Sequence, residues 1–566
     1  MKRFGTSCLV VVLRGLSLAM VLSFFVPVLA HGQGQPALTR HMRGAVSSGQ
    51  AAWAGRLPAT QSLRLNIALP LRNESDLDEV LQQIYDPQSS SYHQFLSVEE
   101  FTERFGPSQE DYDAVISFAE ANGLTVTGIA PNRMIVDVTG PVANIERAFH
   151  VNMGVYQHPT EDRTFYAPDR EPRADLPVAL WHITGLDNFS IPRPASLVRA
   201  PERRRGGTTG SGPGGDFIGS DIRAAYYGGT ALTGSGQSVG LLEFAGYNLK
   251  DVNDYFSKVG QTRSVAIVGV STDGSSLNCT GRCDDSEQAL DIEEAISMAP
   301  GMSQVRVYVS DTSDPSIFNR MATDNIAKSL SCSWAWDPAD PTSDDPIFKE
   351  FAGQGQNLFV ASGDSGSYRS TRSRYGAYRT GSSYVYPADD AYVTSVGGTD
   401  LTTVKPGGAW KSETAWSDSG GGISPDNIAI PSYQMTAGVI TTANKGSTTY
   451  RNSPDVAAEA NTDNYICYDG TCEGGWGGTS FAAPRWAGYQ ALVNEQSTTE
   501  TGKPVGFINP AIYNIGLGST YSTDFHDITS GSNGMYSAEK GYDLVTGWGS
   551  PNETSLITDL IDSFAP

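Results

Sequence analysis

The sequence predicts an α/β protein in two parts: an α+β N-terminal domain, then a larger domain built on a parallel sheet. The chain has 566 residues, long enough for more than one core at roughly 150 residues per domain. Hydrophobic residues make up 39% of it, which excludes a disordered or collagen-like chain. In its second part, continuous apolar runs alternate with helical stretches, the pattern of parallel strands joined by crossover helices.

The formal charge is −23. Residues 1–212 hold 19 basic and 21 acidic side chains, whereas residues 213–566 hold 20 and 41. The acidic balance therefore belongs to the second part, where it repels phosphate backbones and excludes a nucleic-acid partner. It also suits a protein kept soluble where carboxylates begin to protonate.

Lys2, Arg3 and Arg14 precede the uncharged apolar run Gly15 to Ala30, which ends in Val28-Leu29-Ala30. That is the form of a secretory signal peptide over residues 1–30, and its apolar run of 16 residues is short for a bilayer span of about 20. A secreted, extracellular protein is the expectation, in preference to one retained by a membrane anchor.

Residues 31–188 form the first domain. Leu63 to Leu71 alternates as a strand does. Asn73 then caps an amphipathic helix through Tyr85, with Leu77, Val80, Leu81 and Ile84 on one face. A second helix runs from Ser108 to Asn122, and TVTGIA, MIVDVTG and VNMGVYQ read as strands. Two helices interleaved with about four strands predict a ferredoxin-like fold. Residues 189–215 are rich in Pro, Gly, Ser and Arg, a solvated linker whose run Arg203-Arg204-Arg205 offers a processing site. Residues 216–566 contain the apolar strands SVGLLEF, VAIVGV, VRVYV and NLFVA, with helices from Glu287 to Ala299 and from Ser316 to Thr323. Ligand chemistry in such a sheet belongs at the strand ends.

Export fits the cysteines. Cys279 with Cys283 and Cys467 with Cys472 are spaced for two local disulfides; zinc is the competing reading, but no tight CxxC knuckle or neighbouring His supports it. Cys332, in KSLSCSW, reads as a buried free thiol.

The string Gly477-Gly478-Thr479-Ser480-Phe481-Ala482-Ala483-Pro484 sets a serine between a glycine turn and a small-residue helix, where its hydroxyl can meet a substrate backbone. Alone it is an ordinary N-cap serine. A serine nucleophile needs a base, yet of seven histidines only His526 lies in the second domain. The stretch Ser286 to Ala295 instead places Glu287 and Asp291 at i and i+4, on one helix face. Phe359 to Gly366 runs an apolar strand into a turn carrying Asp364.

Together these three motifs, in this order, resemble the sedolisin (serine-carboxyl) peptidases, whose fold is subtilisin-like. The N-terminal region resembles the pro-kumamolisin activation domain. The resemblance implies Ser480 as nucleophile, Glu287 as general base and acid, Asp291 as its supporting carboxyl and Asp364 as oxyanion donor. Glu243 and Trp334 match positions behind them in kumamolisin-like members. It further implies one Ca2+ held by Asp527, Ile528, Glu539, Gly541 and Asp543, with Glu539 standing where the family has glycine. His526 then packs a loop. Polypeptide substrates, an N-terminal domain acting as intramolecular inhibitor, and a monomer complete the expectation.

Glu287 must be ionised to take the Ser480 proton, whereas Asp364 must be protonated to donate to an oxyanion. Small shifts from ordinary carboxyl values achieve this in acid, so an acid-active enzyme is expected. Subtilisin itself lacks the acidic helix and needs a histidine absent here. A glycosidase would need carboxyls flanking a sugar bond rather than one helical turn apart. A calcium-stabilised, non-catalytic binding module is the remaining alternative.

Overall fold

The computed structural model describes residues 35–195, 198–199, 209–280, 284–311, 313–336, 343–368 and 385–563. The signal segment, the three consecutive arginines and Cys283 lie outside the described residues.

In the N-terminal domain a four-stranded antiparallel sheet has the order Thr125–Ile129, Ile135–Pro141, Ser62–Ala68, His182–Thr184. With helices Gln109–Ala121 and Val142–Phe149 between its strands, this is the predicted ferredoxin-like arrangement. Ser108 caps the first of these helices, accepting from Asp111 N at 3.0 Å. Asn73 does not cap the helix Glu74–Ile84 as expected: it is left-handed and donates to the Arg104 carbonyl instead. A further helix, Val98–Arg104, opens with a capping box between Ser97 and Glu100. MGVYQ leaves the main sheet and pairs in a separate three-stranded one.

The second domain is built on an eight-stranded sheet. Its order is Ala266–Ser271, Gln304–Val309, Ser238–Glu243, Ser329–Cys332, Asn357–Ala361, Thr394–Thr403, Trp410–Ala415, with Val456–Glu459 also beside Thr394–Thr403. Every pairing is parallel except that of the Trp410–Ala415 edge. The chain starts at Ser238–Glu243, moves to the edge strand Ala266–Ser271, returns to Gln304–Val309 between those two, then crosses to Ser329–Cys332 on the other side. The crevice of such a sheet opens at the carboxyl ends of the strands on either side of that crossing. Helices Ser286–Met298 and Thr479–Thr501 pack against each other on one face. On the other face lie Asp314–Asp324 and Asp345–Gly353.

The first domain docks on those last two helices through a shared apolar core. Leu77, Leu81, Phe101 and Phe105 pack in one cluster with Phe318, Phe348 and Phe351. Polar contacts ring it: Lys349 bridges Glu74 at 2.8 Å and Asp78 at 3.0 Å, and Asn132 donates to Glu350 at 2.7 Å.

The linker departs from expectation. Arg193–Pro194 pairs antiparallel with Trp334–Ala335, and Val198–Arg199 pairs antiparallel with Trp476–Gly477. Pieces too polar to order by themselves are ordered by walls that supply strand partners. Among the described residues no helix is long and apolar enough to cross a membrane.

Candidate active site

Three loops and one helix converge where the linker crosses. The strand Thr471–Gly477 ends at Gly478, whose φ of +153° lets the chain turn directly into the helix Thr479–Thr501. Its hairpin partner Asn464–Tyr468 is clipped to it by the Cys467–Cys472 disulfide. Ser480 thus stands in the first helical turn, where backbone amides lack intrahelical partners. Pro484, four residues on, has no N–H for the Ser480 carbonyl. The Ser333 hydroxyl approaches that freed oxygen at 3.4 Å.

The helix Ser286–Met298 is buried on all sides, so its acids are no solvated face: Glu287 is 2% exposed and Asp291 is fully buried. The Ser480 hydroxyl faces Glu287 and favours its charged form. Neither group completes a well-aligned hydrogen bond in this arrangement. Burial first, then the Asp291 charge, pushes Glu287 well above the usual glutamate range. Asp291 is pushed up to about 8 by burial, against hydrogen bonds from Ser333 and Glu243 that lower it. Behind them Glu243 is also raised, by burial and by Asp291, while Trp334 Nε1 donates to it at 2.9 Å.

Asp364 sits in the turn after Asn357–Ala361. Its Oδ1 accepts from Thr479 N at 2.7 Å and Thr479 Oγ1 at 2.8 Å, whereas its Oδ2 has no partner. Burial holds its pKa well above the ordinary range. With both donors on Oδ1, the proton of the neutral acid belongs on Oδ2, free to be donated.

All four carboxyls are raised, burial being the first cause of each. The structure brings Ser480, Glu287, Asp291, Asp364, Glu243 and Trp334 together. It adds Ser333, Thr479 and Arg485, which sequence reasoning passed over. Arg485 Nε donates to Glu294 at 2.7 Å in a pair with both side chains 1% exposed. Its signal was a lone cation five residues after Ser480 in an otherwise apolar helix start. Cys332 is free and buried, and its thiol is pushed up by burial. Cys279 is disulfide-bonded.

In the C-terminal loops, Asp527 Oδ1 accepts from Gly541 N at 3.1 Å, and Asp543 Oδ2 accepts from Glu539 N at 2.9 Å. These cross-loop bonds hold the five expected residues in one place. Glu539 has no positive φ, so a side chain is tolerated there, whereas Gly541 has φ +82°. Asp543 is fully buried, and backbone amides of Glu539, Val545 and Thr546 donate to it. Among the described residues no three His, Cys, Asp or Glu side chains gather as a metal cluster. A cation here would rest on two carboxylates plus carbonyls, an oxygen set that fits a hard ion. His526 stacks on Trp410 at 3.9 Å, and burial lowers its pKa to about 4, so it packs rather than catalyses.

A parallel-sheet domain carrying a serine, a buried glutamate–aspartate pair and a protonatable aspartate, preceded by a docked ferredoxin-like domain, defines a serine-carboxyl peptidase with an activation domain. The chain belongs to the sedolisin family of these enzymes. Residues 50–189 match the pro-kumamolisin activation domain family and residues 259–505 match the subtilase family. Kumamolisin from Bacillus sp. (strain MN-32) is 31% identical over 89% of this chain and 93% of its own. Sedolisin from Pseudomonas sp. (strain 101) is 28% identical over 87% of this chain and 86% of its own. Tripeptidyl-peptidase 1 from Canis lupus familiaris is 26% identical over 90% and 93%. The solved structure of Pseudomonas sedolisin complexed with two molecules of pseudo-iodotyrostatin superposes with a TM-score of 0.53 at 28% identity, covering 63% of this chain and all of that one. The alternative of a non-catalytic binding module is set aside by this membership.

Proposed function

We propose that the chain is a secreted, acid-active endopeptidase whose precursor cleaves its own linker. The observation that carries this reading is the linker itself, laid as strands along both walls of the cleft. Ala195 N donates to the Ser333 carbonyl at 2.9 Å, and Val198–Arg199 continues on the wall that leads to Ser480. From Thr209 onward the chain is anchored to the catalytic domain, Thr403 N donating to Thr209 Oγ1 at 2.8 Å. Cleavage upstream of Thr209 therefore leaves a seated new N-terminus.

On this reading the reaction proceeds in two halves. Ser480 Oγ attacks the peptide carbonyl carbon as its proton passes to Glu287. The oxyanion takes a hydrogen bond from protonated Asp364 Oδ2. The C–N bond then breaks, Glu287 returns the proton to the departing amine, and Ser480 is left as an ester. Water attacks the ester with Glu287 again as base, releasing the acid and restoring the serine. Desolvation is the largest cause of the raised Glu287 pKa, and the Ser480 hydroxyl works against it by favouring the charged form.

A calcium ion would be held by the carboxylates of Asp527 and Asp543 with the carbonyls of Ile528, Glu539 and Gly541. Its contribution is structural, tying the C-terminal loops. Incubating the purified precursor from about pH 3 to about pH 7 and sequencing the new N-terminus tests the reading. Cleavage within residues 189–215 in acid, absent in Ser480→Ala, is expected; a precursor that is stable in acid, or cut equally by the alanine variant, overturns it.

A further inference from the structure

We infer that Ser333 is a positioning residue that decides which carboxyl of the Asp291–Glu243 pair carries their shared proton, and thereby how strong a base Glu287 is. The inference rests on the serine-carboxyl reading above.

Ser333 and Trp334 are consecutive, and each donates to one member of the pair. Ser333 Oγ donates to Asp291 Oδ1 at 2.7 Å, and Trp334 Nε1 donates to Glu243 Oε2 at 2.9 Å. The two inner oxygens, Asp291 Oδ2 and Glu243 Oε1, are buried and receive no donor. Both residues are fully buried, and the two carboxyls interact directly. Two interacting carboxyls disfavour double ionisation, and on this inference they hold one proton between them.

The outer donors then pull that proton in opposite directions. A hydrogen bond to the charged form favours it, so Ser333 favours charge on Asp291 and Trp334 favours charge on Glu243. The distinction matters because Asp291 is one helical turn from Glu287 and is the principal charge acting on it. Negative charge on Asp291 strengthens Glu287 as a proton acceptor; charge displaced to Glu243 weakens it.

The other groups around the relay do not take over this function. Glu287 also faces Asp364 and Asp284. Asp291 faces Glu294, which is committed to Arg485. Cys332 lies beside all three carboxyls, and burial keeps its thiol neutral. Ser333 touches relay, linker and nucleophile: its carbonyl accepts Ala195 N, and its hydroxyl approaches the Ser480 carbonyl freed by Pro484.

The test compares wild type, Ser333→Ala, Ser333→Thr and Trp334→Phe, each matured in acid, on one fluorogenic peptide across about pH 3 to pH 7. Activity on the acid side is lost as Glu287 protonates, so the midpoint of that limb reports its pKa. In Ser333→Ala the charge moves to Glu243, Glu287 holds a proton less well, and the limb should move down by roughly half a pH unit or more. Its kcat should fall about tenfold, with KM within about twofold because the substrate-binding carbonyl is backbone. Trp334→Phe should move the limb upward, and Ser333→Thr should restore it. Two limbs that stay put, or move in the same direction, overturn the role given to Ser333. Should Ser333→Ala fail to unfold cooperatively, the threonine and phenylalanine variants decide: an unmoved limb in Trp334→Phe is the overturning result. No hydrolysis by the wild-type chain would instead remove the peptidase reading and the relay with it.

Discussion

Replacing Asp364 by asparagine separates its two tasks, supplying a hydrogen bond and titrating. Both Thr479 donors fall on Oδ1, at 2.7 and 2.8 Å, and Oδ2 is unpartnered. An asparagine can therefore keep its oxygen toward Thr479 and set Nδ2 where the protonated Oδ2 stood. A donor survives, but one that pH cannot switch off. In the wild type the neutral acid is the working form, so activity is lost as pH rises through the Asp364 pKa, which burial holds above the ordinary range. Asp364→Asn should lose that alkaline limb while keeping the acid limb set by Glu287. Asp364→Ala removes the donor altogether and should cost about 10²- to 10³-fold in kcat, some 2.7–4 kcal/mol. The asparagine variant should fall between the two. The assay is kcat/KM against pH on one peptide. An asparagine variant with the wild-type alkaline limb, or an alanine variant with wild-type kcat, would refute Asp364 as the oxyanion donor.

Arg485→Ala leaves Glu294 buried without its partner, and should destabilise the fold by about 3–5 kcal/mol, read as a drop in melting temperature; a loss below about 1 kcal/mol would show the pair to be dispensable. Calcium at a hundredfold excess over its Kd should add about 2.7 kcal/mol of stability, lost in Asp543→Asn; a melting temperature indifferent to both calcium and chelator would remove the ion from the account. Ala195→Pro deletes the N–H that reaches the Ser333 carbonyl and should slow self-cleavage several-fold, up to about tenfold, in a gel time course; an unchanged rate would mean that this contact does not hold the linker for cleavage.

Much of the fold was readable because its signals are local. The apolar runs SVGLLEF, VRVYV and NLFVA became central parallel strands, since burial on both faces demands continuous hydrophobicity. Ser108 capped as its residue type predicts, but Asn73 did not, because its backbone is left-handed and its amide donates to the Arg104 carbonyl of a distant segment. The serine, the E-x-x-x-D spacing and Asp364 were visible as motifs. What stayed hidden depends on long-range closure. Ser333 is an unremarkable serine until the strand Ser329–Cys332 is set beside Ser238–Glu243 and brings it to Asp291. The linker's strands were hidden for the same reason: Pro, Gly and Arg give no strand signal, and only the cleft walls supply partners. The burial of the acidic helix on all sides, which raises Glu287 and Asp291, was likewise not legible in its composition.

The central claim is that the Ser480 proton goes to Glu287. Pre-steady-state hydrolysis of an activated ester by the mature enzyme and by Glu287→Gln, across acid pH, tests it most directly. The wild type should show a burst of acyl-enzyme on Ser480, and the glutamine variant should lose it by at least about 10²-fold, with no pH returning it. A Glu287→Gln enzyme that acylates at the wild-type rate would contradict the claim.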